Sequence, residues 1–276
     1  MDCTRGACYR APASAGAEAG HAGWRARGAR VSGGAVVVTP GTLYLVATPI
    51  GHLGDVTRRA LDTLAAVDLI AAEDPRRTRR LLEHFGIGTP VTKLFEHNER
   101  ARIPALLRRL GEGATIAVVT DAGSPGLSDP GFPLVRAAVE AGRRVESIPG
   151  PSAVIAALQV SGLPTDAFTF AGFLPPRTVA RRNRLAELAG RRETIVVFES
   201  PHRIERCLED LEAIWGERRI ALARELTKAH EEVLRGTPVE VRAALTAEKR
   251  RGEIVLVLSG LGKREAKRAD VRGEER

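Results

Sequence analysis

Apolar positions along the chain follow two periods that alternate. Compact apolar runs rich in Val, Leu, Ile and Ala occur at Thr42–Ala47, Leu69–Ala72, Val91–Phe95, Thr115–Val119 and Val145–Ile148. They are too short for helices and read as buried strands. Between them lie segments with one apolar stripe at helical spacing: Thr57–Val67, Thr78–Phe85, Ile103–Leu110, Phe132–Ala141 and Val154–Val160. Regular strand–helix alternation predicts a parallel α/β sheet. Past Ser161-Gly-Leu-Pro-Thr-Asp166 the order changes. Ala167–Ala171, Thr194–Phe198, Arg219–Arg224, Glu232–Gly236 and Ile254–Leu258 read as strands, and Arg177–Leu188, Ile204–Trp215 and Val239–Leu245 as helices. Two close strands around Lys228 predict an antiparallel hairpin, hence a mixed sheet.

The expected organisation is therefore an extension over 1–40, an α/β domain over 41–161, a second α/β domain over 162–262 and a charged tail over 263–276. Met1–Val38 carries Arg5, Arg10, Arg25, Arg27 and Arg30 without apolar periodicity or a signal-peptide core, and is expected to be disordered. It fits a basic RNA-touching arm or a dispensable extension. No apolar run approaches the roughly 18 residues of a membrane span.

The loop Thr120-Asp-Ala-Gly-Ser-Pro-Gly-Leu-Ser-Asp-Pro-Gly131 is the most punctuated stretch. Glycine admits left-handed backbone and close approach to a ligand, while proline stiffens the path. Thr48–Asp55, Pro149–Ala153 and Glu199–Arg203 are similar loops at strand carboxyl ends, the edge at which open α/β sheets bind ligands. Little basic charge in the central loop suits a cationic or zwitterionic adenosine cofactor better than a phosphate-rich one.

Composition adds a bias toward anions. A net charge of +8 and a pI near 10.1 favour a nucleic-acid or other anionic partner, or else reflect an arginine-rich solvated surface. Cys3, Cys8 and Cys207 form no paired spacing, which fits a reducing cytoplasm. A P-loop, a G-x-G-x-x-G fingerprint, a nucleophile elbow and metal-ligand spacings are all missing, so those chemistries are disfavoured and no metal is expected.

Several motifs in order complete the picture. Thr48-Pro-Ile-Gly-His-Leu-Gly-Asp55, Ala72-Glu-Asp-Pro-Arg76, Phe95-Glu-His-Asn98, Asp121-Ala-Gly-Ser-Pro125 with Ser128-Asp-Pro-Gly131, Pro149-Gly-Pro-Ser-Ala153, Gly172-Phe-Leu-Pro175, Glu199-Ser-Pro-His-Arg203 and Arg224-Glu-Leu-Thr-Lys228 resemble the bacterial 16S rRNA (cytidine-2′-O)-methyltransferases of the tetrapyrrole-methylase superfamily. The resemblance covers Gly41–Leu258. His52, Pro75 and Ser124 depart from that pattern, which usually has Asn, Thr and Thr there.

The resemblance implies a two-domain tetrapyrrole-methylase-like fold, S-adenosylmethionine as cofactor, and methyl transfer to the ribose 2′-hydroxyl of a decoding-centre cytidine. Its implied partners are 16S rRNA or the small ribosomal subunit, with a homodimer and no membrane. It carries cofactor contact to Pro49, Gly123, Ser124, Pro125, Leu127, Ser152 and Ala153, and from the second domain to Phe198, Glu199, Ala223 and Gly252. Lys228 is a candidate for stabilising the developing alkoxide, and Asp55 or Glu199 for accepting the proton; each equally fits a cap, an ion pair or a solvated surface. Arg76, Arg177, Arg181, Arg182 and Arg203 are candidates for the RNA contact. Two alternatives stay open: a methylase of a small porphyrin-like substrate, and a non-catalytic RNA-binding module on the same fold.

Overall fold

The computed structural model describes residues 36–262. The expectation for the charged tail lies outside these residues, as does nearly all of that for the N-terminal arm.

The first half runs β1 (Thr42–Val46), α1 (Arg58–Ala66), β2 (Leu69–Ala72), α2 (Pro75–His84), β3 (Val91–Lys93), α3 (Glu96–Gly111), β4 (Ile116–Val119), α4 (Phe132–Glu140), β5 (Arg144–Ile148) and α5 (Ala153–Ser161). Its five strands form one parallel sheet in the order β3-β2-β4-β1-β5. Alternate residues serve opposite faces. Leu43, Leu69, Ile116 and Val118 pack with α3 and α4 through Leu106, Leu110, Leu134 and Ala138. Tyr44, Val46, Ile70 and Ala117 pack with α1 and α2 through Ala60, Leu64 and Leu82. Burial on both faces explains the uninterrupted apolar runs. The connection from β1 leads toward one edge of the sheet and that from β4 toward the other. A crevice therefore opens between these neighbouring strands at their carboxyl ends.

The second half runs β6 (Phe168–Phe173), α6 (Thr178–Ala189), β7 (Thr194–Glu199), α7 (Ile204–Trp215), β8 (Ile220–Arg224), β9 (Glu232–Gly236), α8 (Pro238–Ala244) and β10 (Ile254–Leu258). The sheet order is β6-β7-β10-β8-β9, with β6 and β7 parallel and the other pairs antiparallel. One face is covered by α6, α7 and α8, with Leu185, Cys207, Leu211 and Val241 against Ile195, Val197, Leu222 and Leu256. The other receives α5 from the first half: Val154, Ala157 and Leu158 pack with Val196, Ala221, Val255 and Val257. That shared core fixes the two sheets against each other and shapes the site between them.

Two helices begin earlier than their apolar stripes suggest. Asp74 Oδ1 accepts from Arg76 N at 2.9 Å, so α2 starts at Pro75, where proline costs no helical hydrogen bond. Asn98 Oδ1 accepts from Phe95 N at 2.8 Å, and α3 starts at Glu96 and continues through Pro104. The apolar stripe marks only its second half.

Candidate active site

The turns after β1 and β4 meet as a pair. Thr48 N donates to Gly123 O at 2.9 Å, Gly123 N donates to Thr48 O at 3.0 Å, and Thr48 Oγ1 donates to Thr120 O at 3.1 Å. The long loop then closes on itself, with Gly126 N donating to Pro130 O at 3.1 Å. Gly131, at φ 128°, hands the chain to α4. The buried Glu99 on α3 accepts from Gly131 N and Leu134 N, each at 3.1 Å, and so caps α4 from a different helix. Ser128 occupies the left-handed region at φ 65°, a conformation that non-glycine residues adopt at a cost. The next residue, Asp129, turns into the cleft.

The opposite wall comes from Arg224–Lys228 and Gly252–Glu253. Glu225 (φ 49°) and Thr227 (φ 65°) both hold positive φ. Glu225 Oε1 accepts from Lys228 Nζ at 2.7 Å and from Glu253 N at 3.1 Å, and Lys228 Nζ also lies 3.3 Å from Glu253 Oε2. The Glu225 carboxylate fills the space that a side chain at Gly252 would need. His52 N donates to Thr227 Oγ1 at 3.1 Å, joining the loop after β1 to this wall.

Three adjoining cavities result. The first, about 390 Å³, is lined by Ile50, Leu127, Phe173 and Phe198, by Ala122–Ser124, Ser152–Ala153 and Gly252, and by Glu73, Asp121, Asp129 and Glu253. The second, about 280 Å³, has Thr48, Pro49, Arg77, Arg80 and Lys228 in its wall and shares Ile50, Asp121, Ala122 and Glu253 with the first. The third, about 500 Å³, shares Glu73 and Asp121 with the first and adds Asp74, Pro75, Arg76, Arg79, Lys93 and Phe95.

Charge is sorted among them. Asp129 has no hydrogen bond or ion pair among the described residues, and burial, reinforced by Glu73, Asp121 and Glu253, pushes its carboxyl up to about 7. Burial likewise raises Glu73. Burial alone would lower the Lys228 ammonium, but the bond to Glu225 and the charge of Glu253 outweigh it, so Lys228 is raised and stays cationic. It is thus a standing positive charge and not a base.

The buried Asp129 carries a stability signature. Its folded pKa lies above the unfolded value near 3.8, so the folded state holds the proton more tightly. This contribution to stability is greatest below about pH 4, declines as pH rises toward 7, and is level above that. Asp129→Asn should therefore raise the melting temperature of the ligand-free protein at pH 8 more than at pH 5. A pH-independent difference in thermal melts would contradict the assignment.

The sequence candidates separate on this geometry. Gly123, Ser124, Leu127, Ser152, Ala153, Phe198 and Gly252 line the first cavity. Pro49 lies in the second, whereas Pro125 lines neither and Ala223 is buried in β8 beside Val255. Lys228 faces the second cavity. Two candidates for the proton acceptor need correction. Asp55 is exposed, in a 3-10 turn outside all three cavities. Glu199 contributes to the cavity lining, but strand alternation places its carboxylate on the face opposite Phe198, where Oε1 pairs with Arg203 at 2.6 Å and accepts from Ser200 N at 2.7 Å. Arg203 is held there too, rather than presented outward to RNA.

Arg181 also needs correction. It is 2% exposed and its guanidinium lies 2.7 Å from the equally buried Asp210, so it cannot grip a phosphate. Arg182 reaches the same Asp210 from the surface, Arg177 is exposed, and Arg76 is bonded to Asp74 at the rim of the third cavity. Arg181→Ala should cost about 3–5 kcal/mol in denaturant unfolding, because Asp210 loses its buried partner. Arg182→Ala should cost less than about 1 kcal/mol. Equal costs would contradict the buried pair. Sequence reading also passed over Glu73, Asp129, Glu225 and Glu253. For Glu99 a signal existed, since it shares the inward face of α3 with Ile103, Leu106 and Leu110 at helical spacing.

A cleft with the adjoining Phe173 and Phe198 rings and an unpaired carboxylate in its lining fits a flat heterocycle joined to a cationic chain. Residues 42–260 match the family model described as Tetrapyrrole (Corrin/Porphyrin) Methylases. The chain is 52% identical over 231 residues to "Ribosomal RNA small subunit methyltransferase I" of Xylella fastidiosa strain Temecula1, covering 83% of this chain and 85% of the relative. It is 49% identical over 224 residues to the protein of the same name from Escherichia coli O157:H7, covering 80% and 78%. Among solved structures, uroporphyrin-III C-methyltransferase from Thermus thermophilus complexed with S-adenyl homocysteine superposes with TM-score 0.55 at 18% identity, covering 83% of this chain and 99% of that one, a likeness of fold. The chain belongs to the tetrapyrrole methylase family and, within it, to the ribosomal RNA small subunit methyltransferase I group. It is a methyltransferase.

Proposed function

We propose that the protein methylates the ribose 2′-hydroxyl of a cytidine in the decoding centre of 16S rRNA. One observation carries this reading: a carboxylate-walled cleft and a cation-walled cavity meet at Asp121 and Glu253. The first environment suits a cationic donor, the second an oxyanion beside a phosphodiester.

When bound, S-adenosylmethionine supplies an electrophilic methyl carbon. Phe173, Phe198, Gly123, Ser124, Leu127, Ser152, Ala153 and Gly252 would hold the donor. Lys228 lies across the junction, where its ammonium stabilises charge developing on the ribose oxygen. Asp121 and Glu253 replace Asp55 and Glu199 as the carboxylates placed to take the hydroxyl proton. Fixed placement of these groups supplies alignment, which methyl transfer requires. Arg76, Arg77, Arg79 and Arg80 on α2, with Arg177 and Arg182, provide the outer phosphate contacts.

The reading includes a domain boundary near Ser161, where α5 ends and Gly162 turns the chain at φ 74°. It also includes a cytoplasmic location and a homodimer, which light scattering checks. In a labelled-methyl assay, small ribosomal subunits from a strain lacking this activity should accept methyl groups that survive alkaline hydrolysis as a protected dinucleotide. A uroporphyrin-type substrate should accept none. The reverse pattern would favour the small-molecule reading.

A further inference from the structure

The third cavity is not needed to hold the donor, yet it opens onto the donor cleft through Glu73 and Asp121. Its chemistry is layered. Arg76, Arg79 and Lys93 are exposed at its rim, and Arg79 has no ion pair among the described residues. Phe95 forms a half-buried wall, with the Lys93 ammonium 4.2 Å from its ring centroid. The inner end holds carboxylates. Asp121 is engaged by Arg77 at 3.3 Å and by Asp74 N at 3.1 Å, and Asp74 by Arg76 at 2.9 Å. Glu73 is different. Its Oε2 accepts from Asp121 N at 3.2 Å, while Oε1 has no hydrogen-bond partner among the described residues.

Cations outside, an aromatic wall midway and a free acceptor inside form the profile of one nucleotide: phosphate, base face and base-edge donor. We propose that this cavity receives the base of the target nucleotide, turned out of its RNA strand, with Phe95 as its stacking wall and Glu73 as the acceptor for its exocyclic amine. The inference rests on the rRNA reading above and adds the subsite that chooses the base. Asp121 lines all three cavities, so the third is continuous with the junction at which the ribose would react. A carboxylate accepts from the N4 amine of cytosine and repels the O4 carbonyl of uracil, so Glu73 selects cytidine over uridine.

The test uses the full chain with small ribosomal subunits carrying either cytidine or uridine at the methylated position, and reads kcat and KM for each. Donor affinity is measured separately by calorimetry, because Glu73 also borders the donor cleft. Wild type should prefer cytidine at least tenfold in kcat/KM. Glu73→Gln, whose amide can donate as well as accept, should reduce that preference at least tenfold. Phe95→Leu should raise KM about tenfold, and Phe95→Tyr should keep it near the wild-type value, because stacking and not bulk is required. A cytidine preference unchanged in Glu73→Gln, or a KM unchanged in Phe95→Leu, with wild-type donor affinity, overturns this subsite alone. Failure of wild type to methylate either subunit overturns the parent reading instead.

Discussion

Replacing Lys228 with methionine should lower kcat by about 10²–10³ while leaving donor affinity within a few-fold of wild type. The magnitude is that of removing one preorganised group facing a developing oxyanion. The geometry explains why so much is expected from one side chain. Lys228 Nζ is pinned between Glu225 Oε1 at 2.7 Å and Glu253 Oε2 at 3.3 Å, so its ammonium is held in place without substrate. Its raised pKa keeps it charged throughout the neutral range, so the wild-type rate should show no loss assignable to this group there. Arginine should restore only part of the rate, since its planar fork does not fit a clamp built for a compact ammonium. Steady-state kinetics with the full subunit, paired with donor calorimetry, checks this. A methionine variant with wild-type kcat would remove Lys228 from the reaction.

The second large effect is expected at Gly51. A Cβ there would lie 2.5 Å from Lys228 Cγ, 2.6 Å from Thr227 Oγ1 and 3.0 Å from the Leu226 carbonyl oxygen. The two side-chain atoms could shift, but the carbonyl belongs to the backbone of a segment already holding positive φ at Glu225 and Thr227. Gly51→Ala must therefore part the loop after β1 from the Lys228 wall and break the bond from His52 N to Thr227 Oγ1. Both walls of the second cavity move, so kcat/KM should fall at least about 100-fold, the scale of a 1 Å misplacement in a positioned site. Global stability should change by no more than about 1–2 kcal/mol, since Gly51 is exposed and outside the cores. Wild-type kinetics in a folded Gly51→Ala variant would mean that the close approach of these loops is not required.

The architecture was legible in the sequence wherever packing imposes a period. Leu69-Ile-Ala-Ala72 and Ile254–Leu258 are buried on both faces, and their strands begin and end as their composition predicts. The hairpin around Lys228 was likewise visible, because β8 and β9 are separated by a short polar segment. Helix starts were less legible. Asp74 and Asn98 begin α2 and α3 through side-chain hydrogen bonds, which leave no apolar trace. At the site, motif order identified which loops converge but not where each side chain points. Glu199 sits one residue from Phe198, and that single step in a strand sends its carboxylate away from the cleft. Arg181 and Arg182 look equivalent in a basic run, yet one is buried against Asp210 and the other lies on the surface. The electrostatics of Glu73, Asp121, Asp129 and Glu253 were not legible at all. These residues are far apart in sequence, and only the meeting of the two sheets makes them neighbours.

The account turns on an acidic donor cleft opening into a basic acceptor cavity that takes a ribose of ribosomal RNA. Its most direct test is mass-spectrometric mapping of 16S rRNA after purified protein and S-adenosylmethionine are added to small subunits from a strain lacking the activity. The account predicts one new methyl group, on the 2′-oxygen of a decoding-centre cytidine. A methyl group on a base, or no new methyl group in subunits shown to lack it beforehand, would contradict it.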